Sequence, residues 1–350
     1  MKLRRHLRDV IGLTIAFTVG CEHPEPFRSE DYGADGPLIP GSIAQLTFSP
    51  GQDLTPAWQP DGAAFVFTAE RLDRADRDRC FAFMPGAGGS SSRYACRTTA
   101  PDDTINVFDE AALFGDSIAY VRSGTEEFLT GLGPDRQDLV VAPTADPNAA
   151  RALQRIPFTT AWGVTYDMIS HLAWLGPGRL AFIGERVTYP RGCSTCVADT
   201  VRVGLELVIA DITGATPVLT RMPDGDSASS LAPSANGDTV YFTRNNDTRV
   251  FRRTLSTAVT DTLLDFVFGV ARDLSVSAGK LAAIVGGIPG GPSNSDRGGF
   301  LHIVEGATIT QLGDSSWLFR RPALSPDGTR LVVSAWNGAP TADLWLFELP

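Results

Sequence analysis

Thr55-Pro56-Ala57-Trp58-Gln59-Pro60-Asp61-Gly62, near the start of the chain, returns without a gap as Arg321-Pro322-Ala323-Leu324-Ser325-Pro326-Asp327-Gly328 near its end. Each copy runs on into an apolar stretch, Phe65-Val66-Phe67 in one and Leu331-Val332-Val333 in the other. The unit is a strand, a glycine turn and a second strand, and its recurrence at both ends constrains the fold more than composition does. Four weaker copies lie between them: Glu110 to Tyr120, His171 to Phe182, Leu231 to Phe242 and Leu274 to Ile284. The turn glycines Gly62, Gly115, Gly178, Gly237, Gly279 and Gly328 are separated by 53, 63, 59, 42 and 49 residues. These steps match the ~40 to 50 residues of a propeller blade carrying loop insertions.

A four-stranded sheet cannot bury both of its faces alone, so such units stack radially until the ring closes. Glycine supplies the positive φ of each hairpin and the neighbouring Asp or Asn caps backbone N–H groups, which gives the turn aspartates a structural role. Third strands follow at Cys80 to Met84, Asp138 to Ala142, Leu205 to Ala210, Arg249 to Arg253, Phe300 to Val304 and Asp343 to Phe347. Outer strands follow the first five but not the sixth. The segment Ser42 to Thr47 is the free β-forming stretch that can supply it. The expected fold is all-β: a six-bladed β-propeller over residues 42–350, closed by an N-terminal strand that completes the last blade.

The Pro-Ala-Trp-x-Pro-Asp-Gly and Arg-Pro-Ala-Leu-Ser-Pro-Asp-Gly units, with Leu344-Trp345-Leu346-Phe347 after the second, resemble the WD-related repeats of the TolB-type propeller. That resemblance covers residues 42–350 and implies a periplasmic binding propeller. TolB carries a separate α/β domain before its propeller and this chain has only a short segment there, so the resemblance extends to the fold family and not to TolB's partner.

Lys2, Arg4, Arg5 and Arg8 precede an apolar run from Val10 to Val19 that ends in small residues before Cys21. About ten apolar residues are too few to span a bilayer of ~30 Å, and their order is that of a secretory signal. Thr18-Val19-Gly20-Cys21 resembles a bacterial lipobox, with Thr18 where Leu is usual. Residues 1–20 are therefore expected to be a lipoprotein signal peptide, with Cys21 as the lipid attachment site. Residues 21–41, with Pro24, Pro26, Pro37, Pro40, Gly33 and Gly36, read as a tether. Removal of the signal leaves 26 basic residues against 39 acidic ones, a net charge of -13. Such a balance argues against nucleic acid as a partner. The expected location is the cell envelope: the periplasmic side of either membrane, or the cell surface. Partners are an envelope protein or polymer, with the membrane engaged through the lipid.

Four cysteines remain. Cys80 with Cys96 and Cys193 with Cys196 form two local pairs that suit disulfides in an oxidising compartment. Cys193-x-x-Cys196 is also compatible with free thiols, metal binding or redox work, although a tetrahedral zinc site needs about four ligands. In the propeller the only histidines are His171 and His302. No Gly-x-Ser-x-Gly introduces a hydrolase domain, and the glycine-rich runs at 86–92 and 286–299 lack the Lys-Ser/Thr ending of a phosphate loop. No cofactor is implied. The functional expectation is a non-catalytic binding or scaffold protein; the alternative is a lyase or hydrolase acting on a saccharide at the axial funnel. Trp162, Tyr166, Trp317 and Phe319 precede inner strands, where they serve either a binding face or packing between blades.

Overall fold

A computed structural model describes residues 42–48, 51–70, 79–95, 105–125, 136–156, 164–188, 201–286, 298–313, 316–336 and 341–350. The lone strand β1 (Ile43–Gln45) precedes blade one, formed by β2 (Asp53–Trp58), β3 (Ala64–Glu70), β4 (Arg79–Pro85) and β5 (Ser92–Ala95). Blade two is β6 (Ile105–Phe114), β7 (Ser117–Thr125), β8 (Arg136–Pro143) and β9 (Arg151–Ile156). Blade three is β10 (Val164–Gly176), β11 (Arg179–Thr188), β12 (Val201–Asp211) and β13 (Val218–Asp226). Blade four is β14 (Ala228–Pro233), β15 (Thr239–Arg244), β16 (Arg249–Thr254) and β17 (Val259–Asp265). Blade five is β18 (Val270–Ser277), β19 (Lys280–Gly286), β20 (Phe300–Glu305) and β21 (Thr308–Leu312), and the chain ends with β22 (Leu318–Leu324), β23 (Arg330–Trp336) and β24 (Asp343–Glu348). Neighbouring strands within each blade are antiparallel, and one parallel pair, Arg79 with Val107, joins blades one and two into a single sheet.

The hairpin turns bear out the sequence. All six marker glycines have φ between 52° and 80°, and a Cβ on Gly237 would stand 1.6 Å from the Leu175 carbonyl oxygen. Asp61 and Asp327 cap the backbone N–H groups of Ala63 and Thr329, and Asn236 caps Asp238.

Closure occurs where expected. β1 pairs antiparallel with β24, Ile43 opposite Phe347 and Gln45 opposite Trp345, and Leu46 N donates to Leu344 O at 2.8 Å. Leu46 is wholly buried among Trp58, Phe65, Phe67 and Met84 of blade one and Val332, Leu344 and Leu346 of blade six. Arg330 fastens the same seam, donating to Gly86 O at 2.6 Å and Gly62 O at 3.3 Å over the Trp58 ring.

A carboxylate sits under the closing strand. Asp343 accepts from Gln45 Nε2 at 3.0 Å and Thr47 Oγ1 at 3.5 Å. Burial raises its carboxyl to about 6, against the lowering effect of those two hydrogen bonds. The folded chain therefore binds an extra proton between about pH 4, where the unfolded group titrates, and pH 6. Its contribution to stability grows as pH falls through that window and is least above it. Asn at this position can accept from Gln45 and donate to Thr47 without a charge. Asp343→Asn is expected to stabilise by on the order of 1 kcal/mol above pH 7, allowing for partial solvation, and to change little near pH 4. Thermal denaturation at both pH values checks this, and an unchanged melting temperature above pH 7 would refute it.

Candidate functional site

Five of the six inner strands are interrupted at the same place. The register shifts between Leu54 and Ala57, Asp109 and Ala112, Ser170 and Ala173, Ala271 and Leu274, and Arg320 and Ala323. At each shift two residues stand opposite one, which is a β-bulge that re-aims a side chain. The first bulged residue is Thr55, Glu110, His171 or Arg321 in blades one, two, three and six, with φ of 47°, 55°, 51° and 52°. In blade five the bulged pair is Arg272-Asp273. A left-handed conformation costs a non-glycine residue about 1 to 3 kcal/mol and persists only where its surroundings impose it.

Those surroundings are the other bulges, which meet across the propeller axis. Arg321 of blade six forks onto Glu110 of blade two, Nη2 to Oε1 at 2.5 Å and Nη1 to Oε2 at 3.2 Å. The backbone N–H of Arg321 donates to Asp273 Oδ2 at 2.9 Å, and that of His171 donates to Glu110 Oε2 at 2.6 Å. His171 Nε2 lies 2.9 Å from Asp273 Oδ1. Burial would raise the Asp273 carboxyl, yet the His171 hydrogen bond and the Arg321 charge hold it well below the carboxylate range. Burial lowers His171 and Arg321 lowers it further, so the ring is neutral near pH 7. Nε2 then carries the proton donated to Asp273, and Nδ1 accepts from Ser170 Oγ at 3.2 Å. Burial would lower Arg321, but Glu110 and Asp273 raise it.

The cluster divides the axis. On one side, Thr55, Glu110, His171, Asp273 and Arg321 line a polar cavity of about 100 Å³. On the other, toward the hairpin turns, lies a chamber of about 580 Å³. Pro56, Ala111, Leu172, Leu231, Leu274 and Pro322, one from each blade, line both and form the neck between them. Beyond the neck the chamber is ringed by Ala57, Ala112, Ala173, Ala232, Ser275 and Ala323. Trp58 and Trp174 donate to the Ala323 and Ala112 carbonyls of neighbouring blades, and exposed Phe114 stacks on Trp174 with ring centroids 5.7 Å apart.

Chemically the cluster is a brace and a stopper. Each oxygen of Glu110 and Asp273 already accepts from Arg321 or His171, so neither carboxylate has an oxygen free of a protein donor.

The residues singled out from the sequence are distributed otherwise. His171 is the one that reaches the axis. His302 is buried, with Nδ1 3.2 Å from Phe300 O and its ring against Phe266 and Phe268. Phe319 is wholly buried between blades five and six, and Trp317 packs on it and on Trp345, with centroid distances of 5.9 and 4.4 Å. Phe319 is thus part of the core, while Trp317 packs against it half-buried. Tyr166 lies on β10 opposite Arg186. Cys80 is buried on β4. Trp162, Cys21, Cys96, Cys193 and Cys196 lie outside the described residues. Glu110, Asp273 and Arg321 were not anticipated as a group.

No family model matches the chain, and no curated protein matches it. Among solved structures, the gluconolactonase XC5397 of Xanthomonas campestris superposes with a TM-score of 0.53 at 14% identity, over 89% of this chain and 90% of that one. A second chain assigned as a gluconolactonase gives 0.52 at 14% identity, over 92% and 96%. A chain assigned as TolB from Agrobacterium tumefaciens gives 0.50 at 14% identity, over 88% and 97%. At these identities the likeness is one of fold, and it joins proteins described as enzymes with others described as TolB.

Proposed function

We propose that this propeller is a lipid-anchored cell-envelope protein that binds a protein or envelope ligand in its axial chamber without transforming it. The observation that carries the reading is the saturated Glu110–Arg321–Asp273–His171 cluster. It crosses the axis beyond the neck of a chamber lined by apolar and polar groups together, and every oxygen of its carboxylates already accepts from a protein donor. Chambers of this size are common ligand sites of proteins. The alternative, a hydrolase at the axis, is favoured by the Ser170–His171–Asp273 series of hydrogen bonds. Arg321 weakens it, because a guanidinium 3.9 Å from Asp273 opposes the imidazolium that such a mechanism requires.

The test is capture from solubilised envelopes with the full chain and with Ala173→Phe, which puts a large ring into the chamber at its circle of small residues. The reading requires a partner retained by the wild type and lost by a variant that is still folded, with no labelling of Ser170 by a fluorophosphonate. Equal capture by both, or labelled Ser170, would overturn it. Peptide mapping of the same preparation is expected to find an acylated N-terminal Cys21 and the disulfides Cys80–Cys96 and Cys193–Cys196. The first pairing is supported by the place of Cys80, buried on β4 next to Phe81, which stands opposite Ala95. A mature N-terminus elsewhere, or four free thiols, would refute the anchor or the pairings.

A further inference from the structure

A cleft of about 320 Å³ opens on the flank of the propeller between the outer strands of blades three and four, lined by Asp224, Arg244, Phe251, Thr260, Asp261 and Thr262. We propose that this cleft binds an acidic saccharide, with a carboxylate of the sugar on Arg244 and its hydroxyls on Asp224 and Thr262.

The cleft is built in advance of any ligand. Arg253, whose side chain is 7% exposed, donates from Nη1 to Asp224 Oδ2 and, at 2.9 Å, to Thr260 Oγ1. Thr260 Oγ1 in turn donates to the same Asp224 oxygen at 2.9 Å. This triangle holds the carboxylate by one oxygen. Oδ1 has no hydrogen-bond partner among the described residues and is left to accept a hydroxyl.

Arg244 is held by its face, and the carboxylate whose charge reaches it, Asp247, is already forked onto Arg249. Its guanidinium lies 4.2 Å from the Phe251 ring centroid and 5.7 Å from that of Phe242, and Nη2 donates to the main-chain oxygen of Asp224 at 2.8 Å. Its Nε is buried without a partner among the described residues. The neighbouring cations are matched: Arg252 forks onto Asp261 and Arg253 onto Asp224. One positive charge in the cleft is therefore unmatched, on a planar group whose geometry fits a carboxylate. Thr262, exposed and unpartnered among the described residues, adds a hydroxyl beside it. A neutral sugar would leave Arg244 unmatched, whereas inorganic phosphate would satisfy Arg244 but bring no sugar hydroxyls to Asp224 and Thr262.

Titration calorimetry on the full chain, at neutral pH and low salt, uses trigalacturonate, neutral maltotriose and inorganic phosphate as probes. Trigalacturonate is expected to bind about tenfold more tightly than either, through its charge-assisted contact with Arg244. Arg244→Gln should erase the preference over maltotriose, and Thr262→Val should weaken both sugars by about two- to threefold through loss of one hydrogen bond. Far-ultraviolet circular dichroism and melting curves establish that each variant is folded; should Arg244→Gln not fold, the Thr262→Val titration decides. No binding of trigalacturonate, equal binding of maltotriose, displacement by equimolar phosphate, or affinities unmoved in a folded variant would overturn the proposal. None of these outcomes bears on the axial chamber.

Discussion

Deleting residues 22–38 is expected to leave the melting temperature unchanged, whereas deleting residues 22–48 lowers it by about 10 °C, at roughly 1.5 °C for each kcal/mol lost from a domain of this size. The shorter deletion removes only the segment that the sequence reads as a tether. The longer one removes β1 and Leu46. With them go the backbone hydrogen bonds to Leu344 and Glu348, the ladder opposite Trp345 to Phe347, and the contacts of Gln45 and Thr47 with Asp343. Each hydrogen bond contributes about 0.5 to 1.5 kcal/mol net. Truncating a buried Leu alone costs about 2 to 5 kcal/mol, and Leu46 lies in the cluster that joins the first blade to the last. The Asp343 carboxylate would then lie at an open sheet edge, which invites intermolecular pairing. Differential scanning calorimetry of the two truncations separates these outcomes, and equal melting temperatures would mean that the ring does not depend on β1.

Six hairpins, their turn chemistry and the swapped closing strand could all be read from residues because each is a local regularity or a count. Gly237 must have positive φ, the Asp327 side chain must cap, and the sixth blade must find a fourth strand. The axial cluster belongs to another level. Thr55, Glu110, His171 and Arg321 stand at one position of the repeat, so a polar column in an otherwise apolar strand was visible in the sequence. What could not be read is that this column is bulged, and that a left-handed backbone turns Arg321 across the axis toward Glu110, 211 residues away. Strand periodicity assigns alternate residues to alternate faces, and a bulge breaks that assignment. Asp273 was further hidden because its blade begins the bulge with Arg272. Trp317 and Phe319 are ambiguous in the sequence for a related reason: ligand anchors are large aromatic side chains, and a wedge between two blades needs large side chains just as much.

Arg321→Met is expected to destabilise the fold by about 3 to 5 kcal/mol at neutral pH, the usual cost of leaving one side of a buried ion pair without its partner. Here two carboxylates lose the same cation, since the side chain forks onto Glu110 and also lies 3.9 Å from Asp273. The double variant Glu110→Gln, Arg321→Met should recover part of the loss, because it removes one of the two stranded charges. The pH dependence distinguishes a broken brace from simple loss of packing. In the wild type, Asp273 is held well below its unfolded value, so its contribution is present above about pH 4 and is lost as pH falls toward the folded value. Without Arg321, Asp273 keeps the His171 hydrogen bond but loses the second influence that holds its carboxyl low, so the carboxyl rises and the stabilisation it gives above about pH 4 shrinks. The gap between wild type and variant is therefore widest near pH 7 and narrows as pH falls to about 3, where the wild type gives up more of that contribution than the variant. Urea unfolding of wild type, single and double variants at both pH values measures the gap. A single variant within about 1 kcal/mol of wild type at neutral pH, or a gap that does not narrow on acidification, would mean that the axial charges do not hold the blades together.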